Sequence, residues 1–237
     1  MLSIATSSVI VSPPIGSEMG ELLGREIHFP CSVLLGACIA AASVSPAAAQ
    51  SASGSQENDA QMRGPLSIGL YAGELYKRTY LDILYEPQKI DLTSSYLVAL
   101  NVDYRLYRWN VLPIELTGEF DFDKRFGDAH EYEAVLTPLL RWVSFPWNRY
   151  VYTTVGVAAL GASYATGVSA WERLKSGNDK GSNLLQFGAI EVSFAAHANS
   201  RGEFFIRVHH RSGIWGLING VSGGSSYLSV GFREYLR

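Results

Sequence analysis

The chain has 237 residues, 47% hydrophobic, 12% aromatic and only 17% charged, with a formal net charge of −3. That length fits one domain, or one barrel behind a processed leader. No uninterrupted apolar run of spanning length follows residue 50, which argues against a helical membrane protein, and the near-neutral balance gives no support to nucleic-acid binding.

The first 49 residues read as a cleaved signal peptide. Arg25 supplies positive charge, residues 31–42 are mostly apolar, and Ala47-Ala48-Ala49 before Gln50 is a small-residue cleavage site. Residues 1–18 are an unusual preamble, which makes Met19 an alternative start. Leu35-Gly36-Ala37-Cys38 resembles a lipoprotein box, but apolar residues run on from Ile39 to Ala42, so cleavage near Ala49 is preferred. Both cysteines, Cys31 and Cys38, fall inside this leader, so the remainder has neither a disulfide nor a thiolate metal site. The leader carries one Arg and three Glu, so 19 Lys+Arg and 22 Asp+Glu fall to 18 and 19 beyond it. Residues 50–64 are small and polar and read as a periplasmic tail.

From residue 65 the pattern has period two, and no helix-period stripe of useful length competes with it. After a weaker run at 65–75, Tyr96, Val98, Leu100, Val102, Tyr104 and Leu106 alternate with Asn101, Asp103 and Arg105. Leu112, Ile114, Leu116, Phe120 and Phe122 alternate with Glu115, Thr117, Glu119 and Asp121. Ala134, Leu136, Leu140 and Trp142 oppose Glu131, Glu133 and Arg141, and Leu228, Val230, Phe232 and Leu236 oppose Ser229, Gly231 and Arg233. Runs at about 150–164, 182–196 and 202–214 complete eight strands, most of them long enough to cross a bilayer at a tilt.

The connections alternate as well. Those at about 76–93, 123–130, 165–182 and 213–224 are long and polar or glycine-rich, whereas those near 109–112, 145–150 and 197–202 are short. Short periplasmic turns and long external loops are the habit of outer-membrane barrels. Spanning strands must also close on themselves, because an open edge leaves amides unpaired in hydrocarbon. The expectation over 65–237 is therefore all-β: an eight-stranded antiparallel transmembrane β-barrel in the Gram-negative outer membrane. Asp103, Glu115, Glu119 and Glu133 with Arg105, Arg141, Arg207 and Arg233 are expected to pair inside and plug it, which argues against a pore. Trp109, Trp142 and Trp147 are expected at the periplasmic rim, with Trp171 and Trp215 at the outer one. A soluble barrel of the lipocalin type would also alternate, with its apolar face inward and its charges outward.

Within 202–214, Phe204, Ile206, Val208, His210, Ser212 and Ile214 share one face, and Phe205, Arg207, His209 and Arg211 the other. His210 and Ser212 are thus about 6.6–6.8 Å apart along a strand, within reach of one another at its outer end. A serine becomes a nucleophile when a base takes its proton, and histidine is the usual base.

Arg207-Val-His-His210-Arg-Ser212, the glycine-rich loop after it and Ser226-Tyr227-Leu228-Ser229 resemble the penultimate strand and closing strand of the lipid A 3-O-deacylase family, the PagL-type outer-membrane enzymes. The resemblance implies removal of the ester-linked acyl chain at position 3 of lipid A by a His-Ser-Glu arrangement on the barrel exterior. Lipid A, as part of lipopolysaccharide, and outer-membrane lipids are then the partners, with a homodimer left open. His210 would be the base and Ser212 the nucleophile. This chain has Gly223-Gly224-Ser225-Ser226 where the family has its glutamate, and Gly213 where the family has an asparagine after the serine. Ser225, Ser226 or a backbone carbonyl would then hold the imidazole, and the Gly213 or Ser212 amide, or Asn219, would donate to the oxyanion. The alternative is a non-catalytic barrel that is structural or binds lipopolysaccharide.

His209 is expected to be interior polar filling, and His130 and His197 to be solvated at strand ends. No paired His/Asp/Glu spacing suggests a metal site, and no cofactor is implied. Lys77, Arg78, Lys89, Lys124, Arg125, Arg173, Lys175 and Lys180 are expected in outer loops, where lipid A phosphates would meet them.

Overall fold

A computed structural model describes residues 63–78, 85 and 89–236. The expected signal peptide, and the expected tail up to residue 62, lie outside the described residues. The elements in order are β1 (Leu66–Tyr76), β2 (Leu92–Arg108), β3 (Ile114–Phe126), β4 (Tyr132–Trp142), β5 (Tyr152–Ala165), a short helix α1 (Ala170–Ser176), β6 (Leu184–Ala195), β7 (Gly202–Ser212) and β8 (Gly224–Tyr235). Each strand pairs antiparallel with its neighbours in sequence. β8 returns to β1 from Ser67↔Tyr235 to Leu75↔Tyr227, so the barrel closes without a free edge.

Alternation along each strand decides which solvent each face meets. Leu136 on β4 is 67% exposed, and Leu70, Leu100, Phe120, Phe122, Leu140 and Ile206 also point outward. Arg207, Arg233, Asp121 and Glu133 are buried inside. A lipocalin-like barrel would show the reverse. This inside-out distribution is what hydrocarbon demands, and the chain is a transmembrane β-barrel of the outer-membrane type.

The interior is held by charge at mid-height. Arg207 donates to Glu119 Oε1 at 2.9 Å, Asp121 Oδ2 at 3.1 Å and Glu191 Oε2 at 2.9 Å. Arg233 pairs with Asp103 and Glu191, and Arg141 joins the same two acids. Such a network gains little net energy over apolar filling, but losing one member strands the others. Apolar clusters flank it: Tyr71, Leu75, Leu97, Ala99, Phe205 and Tyr227 on one side, Val135, Leu139, Ala158, Phe187 and Ala189 on the other. Buried side chains crowd the lumen, in keeping with the narrow interior of eight strands.

Both mouths are stoppered. At the end carrying the short turns, Arg63 pairs with Glu203 at 3.0 Å and lies over the rings of Tyr152 and Tyr235. This residue of the expected tail is therefore docked on the barrel. At the other end α1 is capped by Ser169, whose Oγ accepts from the Trp171 amide. It lowers the buried Glu172 onto Arg125 Nη1 at 3.3 Å and Ser225 Oγ at 2.9 Å.

Three expectations need correction. β3 continues to Phe126, so Asp123 and Arg125 belong to a strand interior rather than to a loop; Arg125 is fully buried and pairs with Glu133 and Glu172. Lys124, on the outer face of the same strand, donates to the His130 carbonyl at 2.6 Å. Trp171 packs on the interior apolar cluster at the mouth instead of joining an outer girdle, whereas Trp215 is exposed.

Candidate functional site

β7 carries Phe204 and Ile206 outward into the apolar belt, and the same face ends at the loop side in His210 and Ser212, both partly buried. The ladders fix their neighbours. His210 stands between Gly188 of β6 and Ser226 of β8, and Ser212 between Gln186 of β6 and Gly224 of β8. His210 Nδ1 lies 2.9 Å from Ser226 Oγ. Ser212 Oγ donates to Gln186 Oε1 at 3.4 Å, a long contact.

Gln186 reaches this position because of an irregularity two strands away. The β5–β6 register shifts between Ala158 and Gly161, and the bulge leaves the Ala159 carbonyl without a regular ladder partner. Gln186 Nε2 donates to that carbonyl at 2.9 Å, which fixes the side chain beside Ser212. On the other flank, a Cβ at Gly224 would stand 2.4 Å from the Arg211 carbonyl and 2.9 Å from Ser212 Cβ. Only a glycine lets β8 lie so close to the serine.

These residues open into a groove of about 490 Å³ at the loop end of β5 to β8, which Tyr76 and Trp171 also line. Its walls include Val157, Ile190, Val208 and Ile214, and Arg78 and Lys175 supply positive charge. The β7–β8 loop roofs one end. Ile214, Trp215 and Asn219 there have φ of 50°, 51° and 54°; for a β-branched residue such as Ile214 that is strained backbone, costing about 1–3 kcal/mol. The loop is tied to α1 by Ser222 Oγ, which donates to the Ser176 carbonyl at 2.7 Å.

The sequence expectations divide. His210, Ser212 and Ser226 come together on one face. Ser225 faces the interior, where its hydroxyl donates to Glu172, because adjacent strand residues take opposite faces. The Gly213 amide donates to the Gly223 carbonyl at 3.2 Å. Asn219 Nδ2 donates to Ser182 Oγ at 2.8 Å and the Leu184 carbonyl at 2.9 Å. The Gly213 amide and Asn219 are thus engaged elsewhere. Arg211 also lies inside, donating to the carbonyls of Ser182 and Asn183. Gln186 escaped the sequence reading, since only the register of β6 against β7 reveals it.

Behind this face, His209 points into the barrel as expected. It meets Asp123 and Glu133, with one potential ligand atom from each within 4.8 Å of the others. Strands distant in sequence bring these three together, so no local spacing announced them.

The crystal structure of the outer membrane enzyme PagL matches with a TM-score of 0.51 and 13% identity, over 72% of this chain and 99% of that one. The two folds are similar. Neisserial surface protein A also matches, at a TM-score of 0.44 and 10% identity over 73% of this chain and 98% of that one, too distant to bear on the site. No family model and no curated protein sequence matches the chain.

Proposed function

We propose that this barrel is an outer-membrane esterase that removes an ester-linked acyl chain from lipid A, with His210 as general base and Ser212 as nucleophile. The observation that carries the reading is the shared position of the two side chains. They stand on the lipid-side face at the loop end of β7, in a groove with apolar walls and two cations. Acyl chains suit those walls, and phosphates suit Arg78 and Lys175. The similarity in fold to PagL, described as an outer membrane enzyme, agrees with it.

Ser226 takes the orienting role. When Nδ1–H donates to Ser226 Oγ, Nε2 is the basic nitrogen. Ser212 exchanges its long contact with Gln186 for His210 as substrate enters, in keeping with the loose catalytic contacts of unliganded enzymes. His210 takes the hydroxyl proton as Ser212 Oγ attacks the ester carbonyl, then returns it to the departing sugar hydroxyl. Water repeats the cycle on the acyl-enzyme.

Mass spectrometry of lipid A from cells producing the protein tests the proposal. Loss of one 3-linked acyl chain with the wild type, and its retention with Ser212→Ala or His210→Ala, is expected. An unchanged lipid A profile with well-folded wild type would overturn it.

A second reading, a non-catalytic barrel that binds lipopolysaccharide, is favoured by the Ser212–Gln186 contact and by a hydroxyl rather than a carboxylate on His210. It predicts that Ser212→Ala leaves every phenotype intact while Arg78 and Lys175 substitutions weaken lipopolysaccharide binding.

A further inference from the structure

We infer that Asp123, Glu133 and His209 bind one divalent transition-metal ion of the zinc class inside the barrel. They project inward from β3, β4 and β7, and their side chains are fully buried. His209 Nε2 stands 3.5 Å from both Asp123 Oδ2 and Glu133 Oε2. A tetrahedral zinc ion with bonds near 2.0–2.1 Å holds its ligand atoms about 3.4 Å apart.

Three further observations point to a cation there. Both carboxylate oxygens of Asp123, and His209 Nε2, lack a hydrogen-bond partner among the described residues, a costly arrangement for groups so deeply buried. The orientation of the imidazole is also set from behind. Tyr71 spends its single hydroxyl proton on Asp121 Oδ2 at 2.9 Å, so its oxygen accepts from His209 Nδ1–H, also at 2.9 Å. Nε2 is then the nitrogen turned toward the two carboxylates, where one metal ion would be held by all three groups. An outer-shell partner on the second ring nitrogen is the usual companion of a metal-bound histidine.

Charge over the whole lumen agrees. Eight carboxylates (Asp103, Glu119, Asp121, Asp123, Glu133, Glu172, Glu191 and Glu203) are buried against five guanidiniums. Arg63 at the mouth supplies a sixth. Glu133 is already engaged by Arg125 and Ser163, whereas Asp123 has no arginine within salt-bridge distance among the described residues. A divalent ion at Asp123 offsets the excess where it is least neutralised, and it ties β3, β4 and β7 together directly behind His210. An imidazole among the ligands favours zinc-class ions over calcium or magnesium.

The test is to fold the purified barrel in detergent with Zn²⁺, remove loose metal with a chelator, and measure bound zinc. About one zinc per chain is expected for the wild type and for His210→Ala. Asp123→Asn and His209→Gln should lose it. Folding with Co²⁺ gives a second readout on the wild type alone, a tetrahedral visible spectrum that is unaffected if the variants misfold. Wild-type barrel that retains no metal, or metal lost through His210→Ala but kept in His209→Gln, would overturn the inference.

Discussion

The imidazole of His210 meets the hydroxyl of Ser226 across the β7–β8 ladder, Nδ1 to Oγ at 2.9 Å. A hydroxyl in this place holds the ring but offers no negative charge to an imidazolium. Ser226→Ala should therefore lower kcat by roughly fivefold to tenfold with little change in KM, the equivalent of one hydrogen bond of about 1 kcal/mol. Ser226→Glu should raise kcat above the wild type, because a carboxylate stabilises the charge that forms. Steady-state kinetics on a lipid A substrate in mixed micelles separates the two. Undiminished kcat in Ser226→Ala would remove Ser226 from the mechanism.

Gly224 keeps β8 tight against Ser212, and a methyl group there would collide with the Arg211 carbonyl. In Gly224→Ala the strand end must move, and Ser212 with it. A displacement of about 1 Å costs on the order of 10²-fold in rate at a positioned nucleophile. The barrel should still fold, since only the first residue of β8 is disturbed. Retained heat-modifiable migration on a gel, together with the fall in rate, checks both halves.

Arg207 is the buried cation shared by Glu119, Asp121 and Glu191. Arg207→Met leaves three acids without it and should destabilise the barrel by about 3–5 kcal/mol. Arg207→Lys should recover only part of this, because a point charge cannot reproduce the forked geometry. Urea unfolding in lipid vesicles measures the difference.

Much of this architecture was legible because a strand in lipid writes its two faces into alternate residues. Leu136 against Glu133 and Arg141, or Leu100 against Asn101 and Asp103, needs no three-dimensional information. The same rule hid the end of β3. Asp123 and Arg125 look like solvated loop when charge is taken as a sign of water, yet the charges fill the lumen while Phe122, Lys124 and Phe126 face outward. For the site, His210 and Ser212 were visible because they share one strand, and Ser226 because the closing strand must pair with β7. Gln186 depends on a bulge in β5, and the convergence of Asp123, Glu133 and His209 depends on barrel closure. Neither leaves a local pattern.

Leu136 near the middle of β4 tests which solvent the apolar belt meets. Its neighbours across the ladders are Phe120 of β3 and Ala162 of β5, so no polar side chain directly beside it offers shelter to a charge. Leu136→Arg should cost about 2–4 kcal/mol when the barrel is folded into vesicles, as expected for arginine at the bilayer midplane. Tyr132→Arg, at the loop end of the same strand, should cost only about 0–1 kcal/mol, because a side chain at the interface reaches water. A soluble barrel would show no such depth dependence. Equal penalties at the two positions would contradict a lipid-facing belt, and with it the placement of His210 and Ser212 beside acyl esters.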